Sequence, residues 1–243
     1  MHRFYCPNTD FSPPRITLSN PAEIHHLKNV LRMSSGDHLA LFNGQGEEVI
    51  GEIETMNAMQ VQVFITQRQV KKQSAVSIVL ACAVPKKAKF ETIIEKCTEL
   101  GVDEIIPMRT ARTEVILKEE KQDRKNLRFQ SVAVNAAKQS ARATIPIVHP
   151  QSSFKSMIAL FDAQSLRLIP SLIGERKRIK DVVEAAKSAT KVVILIGPEG
   201  DFTHQEQQAA ITAGFIPVSL GETTLKVDTA AITAIGFVRL MLE

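Results

Sequence analysis

The chain has 243 residues, of which 44% are hydrophobic and 23% are charged, as is typical of a globular protein with a substantial core. Its formal net charge of +4 is a mild basic bias, compatible with a polyanionic partner without requiring one. No window is apolar enough to span a membrane and the first residues lack the apolar segment of a signal peptide, so we expect a cytoplasmic protein. The three cysteines, Cys6, Cys82 and Cys97, share no metal-ligand spacing. Cys82 and Cys97 lie in apolar contexts, and we expect them to be reduced core residues.

Residues 1–70 have the pattern of a small β-rich domain. Asn43-Gly44 is a hairpin signal, and apolar or alternating runs predict short strands at residues 16–18, 38–42, 48–53 and 60–65. Apolar residues at helical spacing predict one helix over residues 22–33. Several short strands with one helix indicate a compact barrel, and the polar residues 67–75 are predicted to form a linker.

From residue 75 to residue 243 the pattern changes to alternating strands and helices, and we place a second domain there. Apolar runs predict strands at residues 76–81, 105–108, 166–170, 192–196 and 216–220. Helical periodicity, with a capping box in which Glu206 follows Thr203, predicts helices at residues 90–100, 129–140, 182–187, 203–213 and 229–242. This alternation is typical of an α/β fold with a mostly parallel sheet covered on both faces.

Basic residues occur in three groups, which a phosphate backbone would favour and which a solvated protein face explains equally well. These groups are Lys71 with Lys72; Lys86, Lys87 and Lys89; and Lys118, Lys121, Arg124, Lys125 and Arg128. The low aromatic content of 5% argues against a stacking platform for single-stranded nucleic acid.

Several standard sites are excluded by the residues present. The chain has no P-loop, no dinucleotide-binding Gly-x-Gly-x-x-Gly and no Gly-x-Ser-x-Gly nucleophile motif. His25 and His26 are adjacent, so they point apart on a helix and do not chelate one metal well. We therefore expect no metal site.

A pair of glycine turns that follow two apolar strands is the strongest indication of a ligand site. Gly-Pro-Glu-Gly at 197–200 follows one strand, and Leu-Gly-Glu-Thr-Thr-Leu at 220–225 follows another. Ligands of open α/β sheets bind beyond the carboxyl ends of the strands, and glycine lets a ligand approach the backbone closely. Backbone N–H and C=O groups of both turns would bind an adenine ring in an apolar slot formed by Leu195, Ile196, Leu220 and Leu225. Either turn alone is more often an ordinary βα connection; the pair favours a site.

Both turns belong to a series of blocks that occur in order along nearly the whole chain. The blocks are Arg3-Phe4; His26-Leu-x-x-Val-Leu-Arg32 with Gly36-Asp37; Glu95-Lys96-x-x-Glu99-Leu-Gly101; Gln139-Ser140-x-Arg142; Ile196-Gly-Pro-Glu-Gly200 with Phe202; Ala213-Gly-Phe215; Pro217-Val-Ser-Leu-Gly221; and Leu225-x-x-x-Thr229-Ala-Ala231. Each block is weak alone, but together they resemble the bacterial 16S ribosomal RNA (uridine-N3) methyltransferase family, which belongs to the trefoil-knotted SPOUT methyltransferases.

The resemblance implies a C-terminal knotted, mostly parallel sheet flanked by helices that binds S-adenosylmethionine, and a small N-terminal PUA-like RNA-binding β-barrel. It also implies a homodimer with the cofactor site near the subunit interface, and small-subunit ribosomal RNA, free or in the assembled 30S subunit, as substrate. Carried onto this chain, the cofactor-binding residues are Pro170, Ser171, Leu195, Ile196, Gly197, Pro198, Glu199, Gly200, Leu220, Gly221 and Leu225.

Two blocks depart from the family pattern, at three positions. Asp201 stands where the family usually has a second glycine before the phenylalanine. The family's Leu-Arg-x-Glu-Thr-Ala block is Leu-Lys-Val-Asp-Thr-Ala here, with Lys226 for arginine and Asp228 for glutamate. Lysine lacks the planar fork of arginine, and aspartate is one methylene shorter than glutamate, so the substitutions alter the reach of both groups.

Methyl transfer to uridine N3 requires that the N3 proton leave and that the anion spread over O2 and O4 be stabilised. The catalytic candidates are Lys226 as the cation and Asp228 or Glu199 as base or orienting group, although a capping carboxylate is the commoner role. The target uridine must be unpaired or flipped out, because N3 lies on the pairing edge. The RNA-binding candidates are Arg3, His26, Arg32, Gln139 and Arg142.

Other interpretations remain open at this point. Gln139 and Arg142 are equally well explained as supports of a dimer interface, and His26 as a structural histidine. A SPOUT enzyme acting on another RNA atom, such as a ribose 2′-hydroxyl, is the alternative within the same class. An inactive ribosome-associated RNA-binding protein is also compatible with Lys226 and Asp228.

Overall fold

The computed structural model describes residues 1–70, 74–86, 89–114, 119–161, 164–185 and 188–242, without the side chains of Val70 and residues 119–121. The chain divides into two compact units, and the first combines Met1–Gln73 with Ala137–Ile145. The second unit comprises Ser74–Ala136 and Pro146–Glu243. Parts of the predicted basic groups lie outside the described side chains, namely Lys71, Lys72, Lys87, Lys118 and Lys121.

The first unit is built on a sheet with the strand order β1-β3-β4-β5-β2. Its strands are β1 (Arg3–Tyr5), β2 (Arg15–Leu18), β3 (His38–Phe42), β4 (Glu47–Met56) and β5 (Val61–Val70). The predicted strands are therefore confirmed, but the predicted linker was wrong at its start. Polar residues 67–70 pair with residues 47–50 of β4, because sheet pairing with a neighbour overrides a composition that is weak in β-formers.

The predicted helix over residues 22–33 is divided and shorter. Asn20 caps α1 (Pro21–His25) by accepting a hydrogen bond from the Ala22 amide at 2.9 Å, and a proline occupies the first turn. The chain continues as one π-helical turn, His26–Val30. Ile24 and Leu27 enter the core of this unit, and Arg32 then adopts a φ of +54° that ends the helix.

The second unit is built on a parallel sheet with the order β11-β13-β10-β12-β6-β7-β8, and β9 also pairs with β7. Its strands are β6 (Ser77–Ala83), β7 (Glu104–Arg109), β8 (Ile147–Val148), β9 (Ser152–Ser153), β10 (Leu166–Pro170), β11 (Lys177–Arg178), β12 (Lys191–Ile196) and β13 (Ile216–Ser219). Its helices are α2 (Lys89–Glu99), α3 (Glu119–Gln139, whose end belongs to the first unit), α4 (Phe154–Leu160), α5 (Ile179–Ala185), α6 (His204–Thr212) and α7 (Val227–Leu242).

All five predicted strands and five predicted helices of this region are present, with shifted ends. The prediction omitted α4 and the short strands β8, β9 and β11, which have too few residues for a periodic signal. Residues 186 and 187, at the end of the helix predicted over residues 182–187, lie outside the described residues. The trefoil knot stays a prediction.

The register of the parallel strands brings the ends of β10, β12 and β13 to one edge of the sheet. Leu168 is opposite Ile194 of β12, and Pro170 is opposite Val218 of β13. Residues 170, 196 and 219 therefore end their strands side by side, at the carboxyl edge where open α/β sheets bind ligands.

The core of the second unit lies on the buried faces of these strands, and both of its cysteines belong to the interior. Cys82 and Cys97 are free and fully buried. Burial raises the pKa of the Cys97 thiol to about 12 and raises that of Cys82 well above its ordinary value. Within the described part of the chain, no helix is both long and apolar enough to cross a membrane.

Candidate functional site

The carboxyl edge of the sheet opens on a cavity of about 370 Å³. Both glycine turns and the loop that follows β10 line it. The predicted residues that face it are Pro170, Ser171, Ile196, Gly197, Pro198, Glu199, Leu220, Gly221, Leu225 and Lys226. Two turns that are about twenty residues apart in the sequence therefore line one cavity, as the sequence pattern predicts.

The turn after β12 is fixed by close packing and by the capping of the next helix. A Cβ on Gly197 would lie 3.1 Å from the Phe202 ring, so any larger residue would displace that ring. Thr203 and Glu206 form the predicted capping box of α6. Glu199 is exposed, and its Oε1 accepts a hydrogen bond from the Lys86 amide at 3.3 Å.

The turn after β13 depends on backbone conformation rather than on space. Gly221 has a φ of +134°, and nothing lies within 4 Å of the position that its Cβ would take. Only glycine adopts this conformation without strain. The Ser219 hydroxyl donates to the Gly221 carbonyl at 2.9 Å, which closes the turn and presents Leu220 to the cavity.

Residues 171–176, here called the wall loop, form the third side of the cavity. Buried Gln207 holds the loop from α6, because its Nε2 donates to Ser171 Oγ and to the Ile173 carbonyl at 3.0 Å each. Arg176 faces the cavity and donates to the Ser171 carbonyl at 3.0 Å. Ser171 therefore has mainly a structural role, whereas Arg176 brings a cation that the sequence pattern did not indicate.

Leu195 and Gly200 are not brought to the cavity. Leu195 is fully buried in the sheet core, because successive side chains of a strand point to opposite faces and Ile196 takes the cavity side. The Gly200 carbonyl accepts a hydrogen bond from Arg112 Nη1 at 2.5 Å, and this glycine faces Arg112.

Lys226 and Asp228, which depart from the family pattern, flank the start of α7. Lys226 is exposed at the cavity, and Asp228 lies in the first turn of the helix, where the helix dipole favours a negative charge. Lys89 donates to Asp228 Oδ2 at 3.2 Å. Burial raises the pKa of Asp228, but the hydrogen bond and charge of Lys89 and the Thr229 amide outweigh it, so that the pKa lies below its ordinary value.

The five RNA-binding candidates all lie in the first compact unit. Arg32 and Gln139 are exposed, and His26 and Arg142 are half-buried. Arg142 donates to Thr144 Oγ1 at 3.0 Å. Arg3 differs from them because its side chain is buried, forms an ion pair with Glu48 and donates to the Ala137 carbonyl at 2.9 Å. It is a structural residue of this unit, and its guanidinium does not face solvent.

This topology and cavity define an α/β enzyme domain with a small-molecule site at the carboxyl ends of parallel strands. Residues 72–239 match the RNA methyltransferase domain family, and residues 18–66 match the RNA methyltransferase PUA domain family. The chain belongs to the RNA methyltransferase family. Both the resemblance stated from the sequence and the predicted two-part fold are confirmed.

Curated relatives are similar over most of their length. Ribosomal RNA small subunit methyltransferase E of Bacillus subtilis is 27% identical over 226 residues, which cover 91% of this chain and 88% of the relative. The Synechocystis protein of the same name is 29% identical and covers 94% of this chain and 74% of the relative.

Solved structures agree with this chain over its whole fold. The ribosomal RNA small subunit methyltransferase E of Neisseria gonorrhoeae, bound to S-adenosyl methionine, has a TM-score of 0.89 at 27% identity and covers 99% of this chain and 97% of that one. A Legionella pneumophila methyltransferase in complex with the same cofactor has a TM-score of 0.87 at 31% identity, with 98% and 96% covered.

Proposed function

We propose that this chain transfers a methyl group from S-adenosylmethionine to N3 of a specific uridine in small-subunit ribosomal RNA. The observation that carries the proposal is the convergence of both glycine turns on one cavity in a chain of the RNA methyltransferase family. Relatives named for small-subunit ribosomal RNA, and similar structures that hold the cofactor, support the substrate and the methyl donor.

The residues around the cavity fit this cofactor in size and chemistry. A volume of about 370 Å³ is within the range of small-molecule sites, roughly 300–1,000 Å³. Ile196, Leu220 and Leu225 offer apolar walls, and the backbone of the two turns offers donors and acceptors for a nucleobase edge. Glu199 and Arg176 at the rim complement a ligand that carries both a positive charge and a carboxylate. The bound cofactor supplies an activated methyl group on a sulfonium.

We assign Lys226 to stabilise the uridine anion that forms as N3 loses its proton. An ammonium at the cavity, on the residue just before α7, is able to face oxygen atoms O2 or O4 of a base that enters from the open side. Asp228 is a weak base because its pKa is lowered, so we assign it to orient the start of α7. Glu199, an exposed carboxylate at the cavity, is then the proposed acceptor of the N3 proton.

We further propose that the first unit binds the RNA and that the enzyme acts as a cytoplasmic homodimer on ribosomal RNA or the 30S subunit. Exposed Arg32 and Gln139, with half-buried His26 and Arg142, offer the groups for phosphate and base contacts in this unit. N3 lies on the pairing edge, so the target uridine must leave its helix before methyl transfer.

The test is a methylation assay with purified chain, S-adenosylmethionine, and 30S subunits or naked 16S RNA from cells that lack the gene. Nuclease digestion and mass spectrometry are expected to find 3-methyluridine at one position. A 2′-O-methyl product would instead identify a different SPOUT specificity. Absence of cofactor binding by calorimetry, with retained RNA binding, would identify an inactive binding protein. Light scattering of the purified protein tests the dimer.

A further inference from the structure

Asp201 has a backbone conformation that a residue with a Cβ rarely adopts. Its φ is +57°, in the left-handed region that favours glycine, although aspartate tolerates the region better than most residues. Glycine would adopt the same φ without strain. A strained conformation persists where the surrounding structure holds it in place.

The Asp201 carboxylate joins two segments that are distant in sequence. Its Oδ1 accepts a hydrogen bond from the Phe202 amide at 2.8 Å, within its own turn. Its Oδ2 accepts one from the Leu172 amide at 3.0 Å, in the wall loop. One side chain thus links the turn after β12 to the loop after β10, and both segments line the cavity.

Among the described residues, hydrogen bonds are the main interactions that hold this end of the wall loop. Leu172 and Ile173 are 46% and 47% exposed, so burial of their side chains stabilises the loop only in part. The loop is fixed mainly by hydrogen bonds, to Gln207 on the side of α6 and to Asp201 on the side of the turn. Removing the Asp201 carboxylate would free the Leu172 amide while the Gln207 contacts remain.

We infer that Asp201 is a positioning residue that pre-orders the wall loop for cofactor binding. Ser171, Leu172 and Arg176 of this loop line the cavity, so a loop that is ordered before binding need not lose conformational freedom when the ligand enters. This inference rests on the proposed function, because it assigns the ordered cavity to S-adenosylmethionine. Asp201 itself also borders the cavity, and we assign it to act through the loop and not on the reacting atoms as a catalytic residue would.

The test is Asp201→Gly, which permits the positive φ and removes the carboxylate together with the Cβ. Amide hydrogen exchange without cofactor is expected to be about two- to tenfold faster at Leu172, the effect of one lost hydrogen bond. The Kd for S-adenosylmethionine, measured by calorimetry, is expected to rise by a similar factor, and the KM should rise while kcat changes little. Asp201→Asn keeps one acceptor oxygen and is expected to fall between wild type and Asp201→Gly.

Ala141→Gly is the matched control, because Ala141 is also a non-glycine residue with positive φ, at +56° in the first unit. It relieves backbone strain without removing a side-chain hydrogen bond acceptor, and its Kd should equal that of wild type. Unchanged exchange at Leu172 or unchanged cofactor affinity in Asp201→Gly overturns the inference. If wild type itself fails to bind the cofactor, the proposed function fails, and the exchange measurement still decides whether Asp201 orders the loop.

Discussion

The ion pair between Lys89 and Asp228 predicts a measurable coupling between the first turns of α2 and α7. Lys89 is the first residue of α2, where the helix dipole disfavours a cation, and its partner lies in the first turn of α7. We expect Lys89→Met and Asp228→Asn to show a coupling energy in a double-mutant cycle, since each change removes one charge with little change in shape.

Its magnitude follows from the distance and the exposure of the two groups. At 3.2 Å the Coulomb energy is about 1.3 kcal/mol with the dielectric constant of water. The side chains are 41% and 25% exposed, so solvent screening is strong and the loss of side-chain entropy reduces the net value. We expect a coupling of about 0.5–1 kcal/mol, equivalent to a change in Tm of about 1–4 °C.

The coupling must also depend on pH with a defined sign. Because the folded-state pKa of Asp228 is lowered, the stability that it contributes is present above its unfolded pKa of about 3.9 and is lost as the pH falls through the folded value. Thermal unfolding of wild type, Lys89→Met, Asp228→Asn and the double variant at pH 7 and pH 3 measures the coupling energy at each pH. A coupling near zero at pH 7, or one that is equally large at pH 3, would refute the reasoning.

Three further predictions concern the cavity and the first unit. Lys226→Met should lower kcat about 10²–10³-fold and leave the Kd for S-adenosylmethionine unchanged. Single-turnover methylation and calorimetry measure these two quantities, and a Kd that rises as much as kcat falls contradicts an anion-stabilising role. Gly221→Ala should destabilise the fold by about 1–2 kcal/mol, because alanine is strained at a φ of +134°, and it should also weaken cofactor binding. The control Gly36→Ala, at a φ of +93° and also with no neighbour within 4 Å, should affect only stability. Arg3→Met removes the guanidinium that faces buried Glu48 and should lower the free energy of unfolding, measured by calorimetry, by about 3–5 kcal/mol. Arg32→Ala should leave Tm unchanged and weaken RNA binding. The reverse result would make Arg3 the RNA contact.

The sequence predicts well those parts of the fold and site that depend on local pattern. The run from Val192 to Ile196 is long and wholly apolar, so both the buried strand and its turn follow from composition. Gly221 is recognisable because a turn with a φ of +134° requires glycine. The capping box at Thr203 is likewise a local signal, and it forms as predicted.

Groups that reach the site from distant segments leave no local signal. Lys89 and Arg176 occur in polar stretches, where the sequence pattern does not distinguish one basic residue from another. The sheet topology brings Lys89 to α7 and Arg176 to the cavity. Leu195 was assigned to the apolar slot because an apolar run does not reveal which face each residue takes. Asp201 could be noticed only as a departure from the family, and its bond to Leu172 spans 29 residues.

The first unit is built from two segments that are far apart in the sequence, and this affects both its synthesis and its truncation. Its second segment, Ala137–Ile145, supplies the carbonyls that accept from Arg3, and Lys138 supplies the cation that contacts buried Glu23 at 2.8 Å. A nascent chain therefore completes this unit only after residue 145 has left the ribosome, when β6, α2, β7 and α3 have already emerged. A fragment ending at residue 73 would expose charged groups that the full chain neutralises. Isolating the first unit thus requires joining its two segments, for example by a linker from residue 73 to residue 137.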